Sequence, residues 1–126
     1  MSLTTPGMLI NANQYHTTST GETASVVTGS SPLPYGGKLL GLLVSNVSAT
    51  AGWAQVFDGY AAPASGSVPI LNIALAASGS PGSQNSLDCS VFNCIDVKQG
   101  IVIVLSSTIN TYTAVSSGLV TFCAWI

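Results

Sequence analysis

Between Lys38 and Leu75 the chain reads as two or three strands joined by turns. Gly41-Leu42-Leu43-Val44 passes through Ser45-Asn46-Val47-Ser48 into Trp53-Ala54-Gln55-Val56-Phe57. Asp58-Gly59 follows, a dipeptide suited to the positive φ of a tight hairpin, and predicts a turn there. After Pro63 and Ser65-Gly66-Ser67, a second apolar run begins at Val68 and ends near Leu75. Short apolar runs bounded by Gly, Pro, Asn and Ser are the pattern of strands, whereas a helix repeats its apolar positions every three or four residues.

The same pattern continues to the C-terminus. Ala76 to Ser86 is a run of small residues that reads as an exposed loop, and Leu87 to Cys94 is short, mixed and compatible with a strand. Gln99-Gly100 turns into Ile101-Val102-Ile103-Val104-Leu105. With no polar position among them, these residues predict a strand covered on both faces. Thr111 to Val115 alternates, Ser116-Ser117-Gly118 turns, and Leu119 to Ile126 closes the chain. In that last strand Leu119, Thr121, Cys123 and Trp125 share one face and Val120, Phe122, Ala124 and Ile126 the other. No segment has helical periodicity, and the helix formers Glu, Lys and Arg are nearly missing. The expected fold is all-β, an antiparallel β-sandwich or jelly roll of about 7–9 short strands.

Residues 1–37 differ from the rest. Met8-Leu9-Ile10 is a brief apolar run, and Asn11 to Ser31 is rich in Thr, Ser, Asn and Gly, with Ala24 to Val27 its one apolar patch. Pro32 and Pro34 break regular structure, and Gly36-Gly37 supplies a hinge. The division that follows is an extended N-terminal arm, 1–37, ordered by lying on another surface, and a β-sandwich core, 38–126. A first hairpin of the same domain, Tyr15 to Val27, is the alternative. Either way a chain of 126 residues makes one domain, burying about two thirds of its unfolded surface.

Charge changes the picture most. Only 5% of residues are Asp, Glu, Lys or Arg, against about 25% in ordinary soluble domains, and arginine is absent. A surface built from Ser, Thr, Asn, Gln, Gly and Ala lacks the usual guard against association, and reads as one consumed by contacts with other subunits. A secreted Ser/Thr-rich adhesin-like domain is the competing reading. A net charge of −2, with Lys38 and Lys98 the only cations besides the terminus, excludes nucleic-acid binding by phosphate neutralisation. Membrane crossing is not expected: the run Leu39 to Val44 is far short of about 20 residues, and the alternation lacks the aromatic girdles of a membrane barrel. Nor does the N-terminus show the basic and apolar regions of a secretory signal.

Chemistry is sparse. Cys89, Cys94 and Cys123 read as reduced, buried thiols, with a Cys89–Cys94 bridge possible but not required. Zinc would need a fourth ligand and closer pairing, and the lone histidine, His16, is distant in sequence. Of the acids, Glu22, Asp58, Asp88 and Asp96, Asp58 belongs to its turn. Asp88 and Asp96 lack the oxygen-rich loop that calcium demands and the aromatic and basic helpers of a glycosidase cleft. His16 with an abundant serine makes no triad, and no nucleophile elbow or phosphate loop occurs. Asn46-Val47-Ser48 matches a glycosylation acceptor but reads as a turn. Tyr15, Tyr35, Tyr60 and Tyr112 with Trp53 and Trp125 could build a sugar-stacking platform, and more often serve as core or interface aromatics. Neither catalysis nor a metal or other cofactor is expected.

A set of features in fixed order goes further. They are Leu40-Gly41-Leu42-Leu43-Val44-Ser45-Asn46, Trp53-Ala54-Gln55-Val56-Phe57-Asp58, Ala62-Pro63 before Val68-Pro69-Ile70, Gly100-Ile101-Val102-Ile103-Val104-Leu105-Ser106-Ser107-Thr108, and Thr121-Phe122-Cys123-Ala124-Trp125. In this order the region from Leu39 onward resembles a family of small β-sandwich virion structural proteins of tailed bacteriophages. The loop at 78–86 and the Cys89–Cys94 segment depart from it. The resemblance implies a capsid decoration (cement) subunit, without catalytic residues, on the outer surface of the virion and made in the host cytoplasm. Its expected partners are the major capsid protein and copies of itself, as a trimer. Expected interface residues are Met8, Leu9, Ile10 and Tyr15 of the arm, with Tyr35 and Tyr60. The alternative is a receptor- or glycan-binding tip domain of a phage tail or head fibre, with loops 47–52, 58–66 and 76–86 gathered at one end around Tyr60 or Trp53.

Overall fold

The computed structural model describes residues 24–88, 95–115 and 118–125. Eight strands are described in chain order: β1 (Ala24–Val26), β2 (Gly37–Asn46), β3 (Gly52–Asp58), β4 (Leu71–Leu75), β5 (Gln84–Asp88), β6 (Ile95–Val97), β7 (Ile101–Ser106) and β8 (Leu119–Trp125). The protein is all-β, with two antiparallel sheets and no helix among these residues. One sheet has the order β1-β7-β3-β4. In the other, β2 is the hub and pairs with β5, β6 and β8. Leu42 is paired with both Leu87 and Cys123, and Leu39 with both Ile95 and Trp125. A strand residue has one neighbour on each side, so β8 flanks β2 on one side and β5 and β6 succeed each other along the other.

The register explains the core. Ala54 is level with Ile73 and Leu105, and Val56 with Leu71 and Ile103. These side chains therefore point to one face, where they meet Leu39, Leu42 and Val44 of β2 in a single buried cluster. Each Leu, Ile or Val so buried stabilises the fold by about 1.5–3 kcal/mol gross. The opposite face of the first sheet is covered as well. Phe57, Val102 and Val104 pack there beneath Tyr112, whose ring meets that of Phe57 edge-on at 6.1 Å. Tyr112 is clasped by two main-chain bonds: its amide donates to the Ser67 carbonyl, and its carbonyl accepts from Gly66, each at 2.8 Å. Gln55 pins the same roof, its Nε2 donating to the Thr108 carbonyl at 2.8 Å, the Thr111 carbonyl at 3.1 Å and Asn72 Oδ1 at 2.9 Å. Two covered faces account for the unbroken apolar run of β7.

Four details depart from the expectations. Asp58-Gly59 makes no tight hairpin, because Gly59 continues the β3–β7 pairing by donating to the Gly100 carbonyl at 3.1 Å, and β3 reaches β4 through the long connection 59–70. Val68 and Ile70 precede β4 and are exposed, so the strand begins only at Leu71. Thr111 to Val115 is roof rather than strand, touching the sheet through one isolated bridge, Ser106 to Ala114. Finally, residues 24–37, placed in the arm by the sequence, are built into the domain. β1 pairs with β7, Val27 is buried and donates to the Ile101 carbonyl at 2.9 Å, and the Leu33 amide donates to the Gln99 carbonyl at 2.8 Å. Four apolar or mixed residues, Ala24 to Val27, suffice because β7 supplies the other half of the pairing.

Candidate functional site

The two ends of the molecule differ in chemistry. At one end lie the start of β2, β6, the turn 97–100 and the last residue of β3. Lys38, Asp58, Asp96 and Lys98 are all found there, and the opposite end, with loops 47–51, 76–83 and 107–115, carries no charged residue among the described ones.

Three of these charged side chains have defined partners. Lys38 and Asp96 are cross-strand partners, with Nζ to Oδ1 at 2.5 Å. Both are well exposed, so the pair contributes at most about 1 kcal/mol. Asp58 acts differently. Its Oδ1 accepts from the amides of Gln99 at 2.8 Å and Gly100 at 3.3 Å, and its Oδ2 from Lys98 at 2.9 Å. Partial burial pushes its carboxyl up, but the three amides and the nearby Lys98 charge outweigh that and hold it below the usual carboxylate value. An acid so held fastens the β6–β7 turn to the end of β3. It is a clamp and not a proton donor at neutral pH.

Beside the Lys38–Asp96 pair, Tyr35, Gly36, Gly37 and Val97 complete an open depression of about 490 Å³. Pro34-Tyr35 sits on a turn closed by Gly36, whose amide donates to the Leu33 carbonyl at 3.4 Å. Gly36 has φ 69°, and a Cβ there would lie 2.7 Å from the Val97 carbonyl oxygen, so only glycine brings the chain this close to β6. The consequence is that Tyr35 stands out into solvent, 98% exposed. An aromatic platform beside an ion pair can stack a flat apolar surface while offering a donor and an acceptor at its margin.

Of the residues expected at an interface, Tyr35 and Tyr60 are both at this charged end. Tyr60 follows Gly59, which is bonded to Gly100, and is 37% exposed. Met8, Leu9, Ile10 and Tyr15 lie outside the described residues, as do Glu22, His16, Cys89 and Cys94. The Lys38–Asp96 pair was not legible beforehand, since its members are 58 positions apart and meet only through the β2–β6 register. Asn46 is buried, its amide donating to the carbonyls of Thr50 and Ala76 and its Oδ1 accepting from the Ser48 amide. That side chain ties loops together and is closed to glycosylation in the folded protein. Loops 47–52 and 76–86 do gather at one end, joined by the Ser78 amide on the Ser48 carbonyl at 2.8 Å. Loop 58–66 starts at the other end, because β3 runs the length of the sheet between them, and Trp53 is only half-exposed. Among the described residues no group of His, Cys, Asp and Glu is arranged to hold a metal ion. Comparison with protein-family models, with characterised proteins and with solved structures finds no match to this chain.

Proposed function

We propose that this protein is a structural subunit of a virion, a capsid decoration (cement) protein that sits over junctions of a major capsid protein and acts by covering surface. The observation that carries the proposal is the surface itself. Large apolar side chains stand in solvent, Tyr35 at 98% and Val68 at 73%, with Ile70 and Ile109 near one half, on a chain of only 5% charged residues. Exposed apolar groups on a surface so poor in charge are the chemistry of a contact surface. The ordered strand features that resemble tailed-phage virion proteins supply the kind of particle, and a trimer suits the threefold sites of a shell. The fold we assign is a β-sandwich of jelly-roll type. Its support is connectivity: apart from β3–β4 and β5–β6, each successive strand crosses to the other sheet.

The test is the number of copies of this chain per purified particle, by quantitative mass spectrometry against the major capsid protein. Hundreds of copies are expected. A handful to a few tens would move the chain to the tail or fibres. The second reading, glycan binding by a fibre tip, has one observation in its favour, the exposed Tyr35 beside Lys38 and Asp96. Glycan-array binding lost on Tyr35→Ala would favour it over cementing.

A further inference from the structure

Lys38 and Asp96 stand side by side across the β2–β6 pairing, both well exposed, and Tyr35 projects into solvent next to them. One cation, one anion, one exposed ring and the depression they border lie within a single small surface. We propose that two copies of this chain meet at this surface about a two-fold axis. Each copy places Tyr35 in the depression of the other, and Lys38 of each faces Asp96 of the other.

Charge selects the occupant. A partner of either net sign would meet one like charge here, whereas a cation next to an anion is complementary to its own copy turned by half a rotation. Each Lys38 keeps its own Asp96 and gains the other copy's, so the four charges alternate in sign around the axis. Shape agrees with charge. Gly36 and Gly37 leave part of the depression without side chains, and Val97 beside them is buried in the core. The volume, about 490 Å³, has room for an aromatic ring. Tyr35 borders that hollow, so the rotation that sets one Tyr35 over the other copy's hollow does the same in reverse. The projecting ring is also held before contact. Pro34 has a fixed φ, the Leu33 amide donates to the Gln99 carbonyl, and the Gly36 amide closes the turn on the Leu33 carbonyl. Association therefore has little backbone to order, and tyrosine is among the residue types that most often anchor an interface. The contact is independent of any threefold arrangement of the chain and of the particle it belongs to.

The test is the mass of the assembly by sedimentation equilibrium of the full chain, at matched protein concentration. Lys38→Asp leaves two anions at this surface and Asp96→Lys leaves two cations, so each variant repels its own copies. The assembly of either variant is expected to have half the mass of the unmodified one. An equimolar mixture of the two sets anions against cations and is expected to recover the full mass, which an ion pair acting only within one chain would not do. Tyr35→Ala is expected to raise the dissociation constant about 30-fold or more, as loss of an aromatic anchor does. An unmodified chain that stays a single copy at millimolar concentration would overturn the proposal. So would charge variants of undiminished mass, or a mixture that stays at half mass. Glycan-array binding lost on Tyr35→Ala, with the mass unchanged, would overturn it too, since the depression would then take a sugar. Should either charge variant fail to fold, Tyr35→Ala decides alone, because a residue 98% exposed has almost no packing to lose. A weakened assembly then supports the two-fold contact, and an unchanged one overturns it.

Discussion

Asp58 shows how much of this fold hangs on single polar groups. Its carboxylate holds three consecutive amides across a gap of forty residues and more. Because its folded pKa is depressed, the stabilisation is present above the ordinary value of 3.8 and is lost as pH falls through the lower folded value. Urea midpoints measured from pH 6 down to pH 2 are therefore expected to fall less steeply for Asp58→Asn than for the unmodified protein. At neutral pH the variant should lose roughly 1.5–3 kcal/mol, the range for hydrogen bonds to a charged group. Equal slopes for the two proteins would refute the clamp. Gly100, at the same turn, answers to space: a Cβ there would run into the Gly59 carbonyl and the Thr28 hydroxyl. Gly100→Ala should cost about 1–3 kcal/mol by thermal unfolding, as overpacking does. Nothing in the dipeptides Asp58-Gly59 or Gln99-Gly100 announces either role. Asp58-Gly59 reads locally as a hairpin turn, and the partners that overrule that reading are distant in sequence and so are not legible.

Strand β7 was legible because its five aliphatic residues allow no solvated face, and Ile103→Ala should accordingly cost about 2–5 kcal/mol in chemical denaturation. The two-sided cover it demands was inferred, yet its source was not, since Tyr112 lies in Thr111 to Val115, whose alternation reads as a strand and not as a roof. Strand β6, Ile95–Val97, is too short to show a period of two, and β1 was hidden in a Ser/Thr-rich stretch for the same reason. Tyr35 was among the aromatics expected at an interface, whereas the ion pair beside it required the pairing of β2 with β6. The roof makes a further expectation at this scale. Gln55→Leu preserves bulk but leaves the Thr108 and Thr111 carbonyls without its amide. Limited proteolysis should then cut within 107–115 earlier than in the unmodified protein, with the sheets left intact. An unchanged cleavage pattern would mean that the Gly66–Tyr112–Ser67 clasp and the Ser106 hydroxyl, which bonds to Thr108, Thr111 and Thr113, hold the loop without Gln55.

For the molecule as a whole, the low charge sets the terms of association. Contacts made by Tyr35, Val68, Ile70 and Ile109 gain from removing apolar area from water and are little screened by salt. If copies associate through them, the sedimentation coefficient should hold between low and high ionic strength, and Val68→Asp with Ile109→Asp should shift it toward the monomer. A coefficient that falls as salt is raised would instead point to the Lys38–Asp96 end. The roof over the first sheet has one more consequence. It seals the middle of that broad side with the protein's own residues, whereas across the molecule the second sheet leaves Leu43 40% exposed at its centre. The domain is thus a tile with a glazed back and an unglazed front. Copies laid on any support by the front would all lie the same way up, and a layer of them would have a polarity that no single strand possesses.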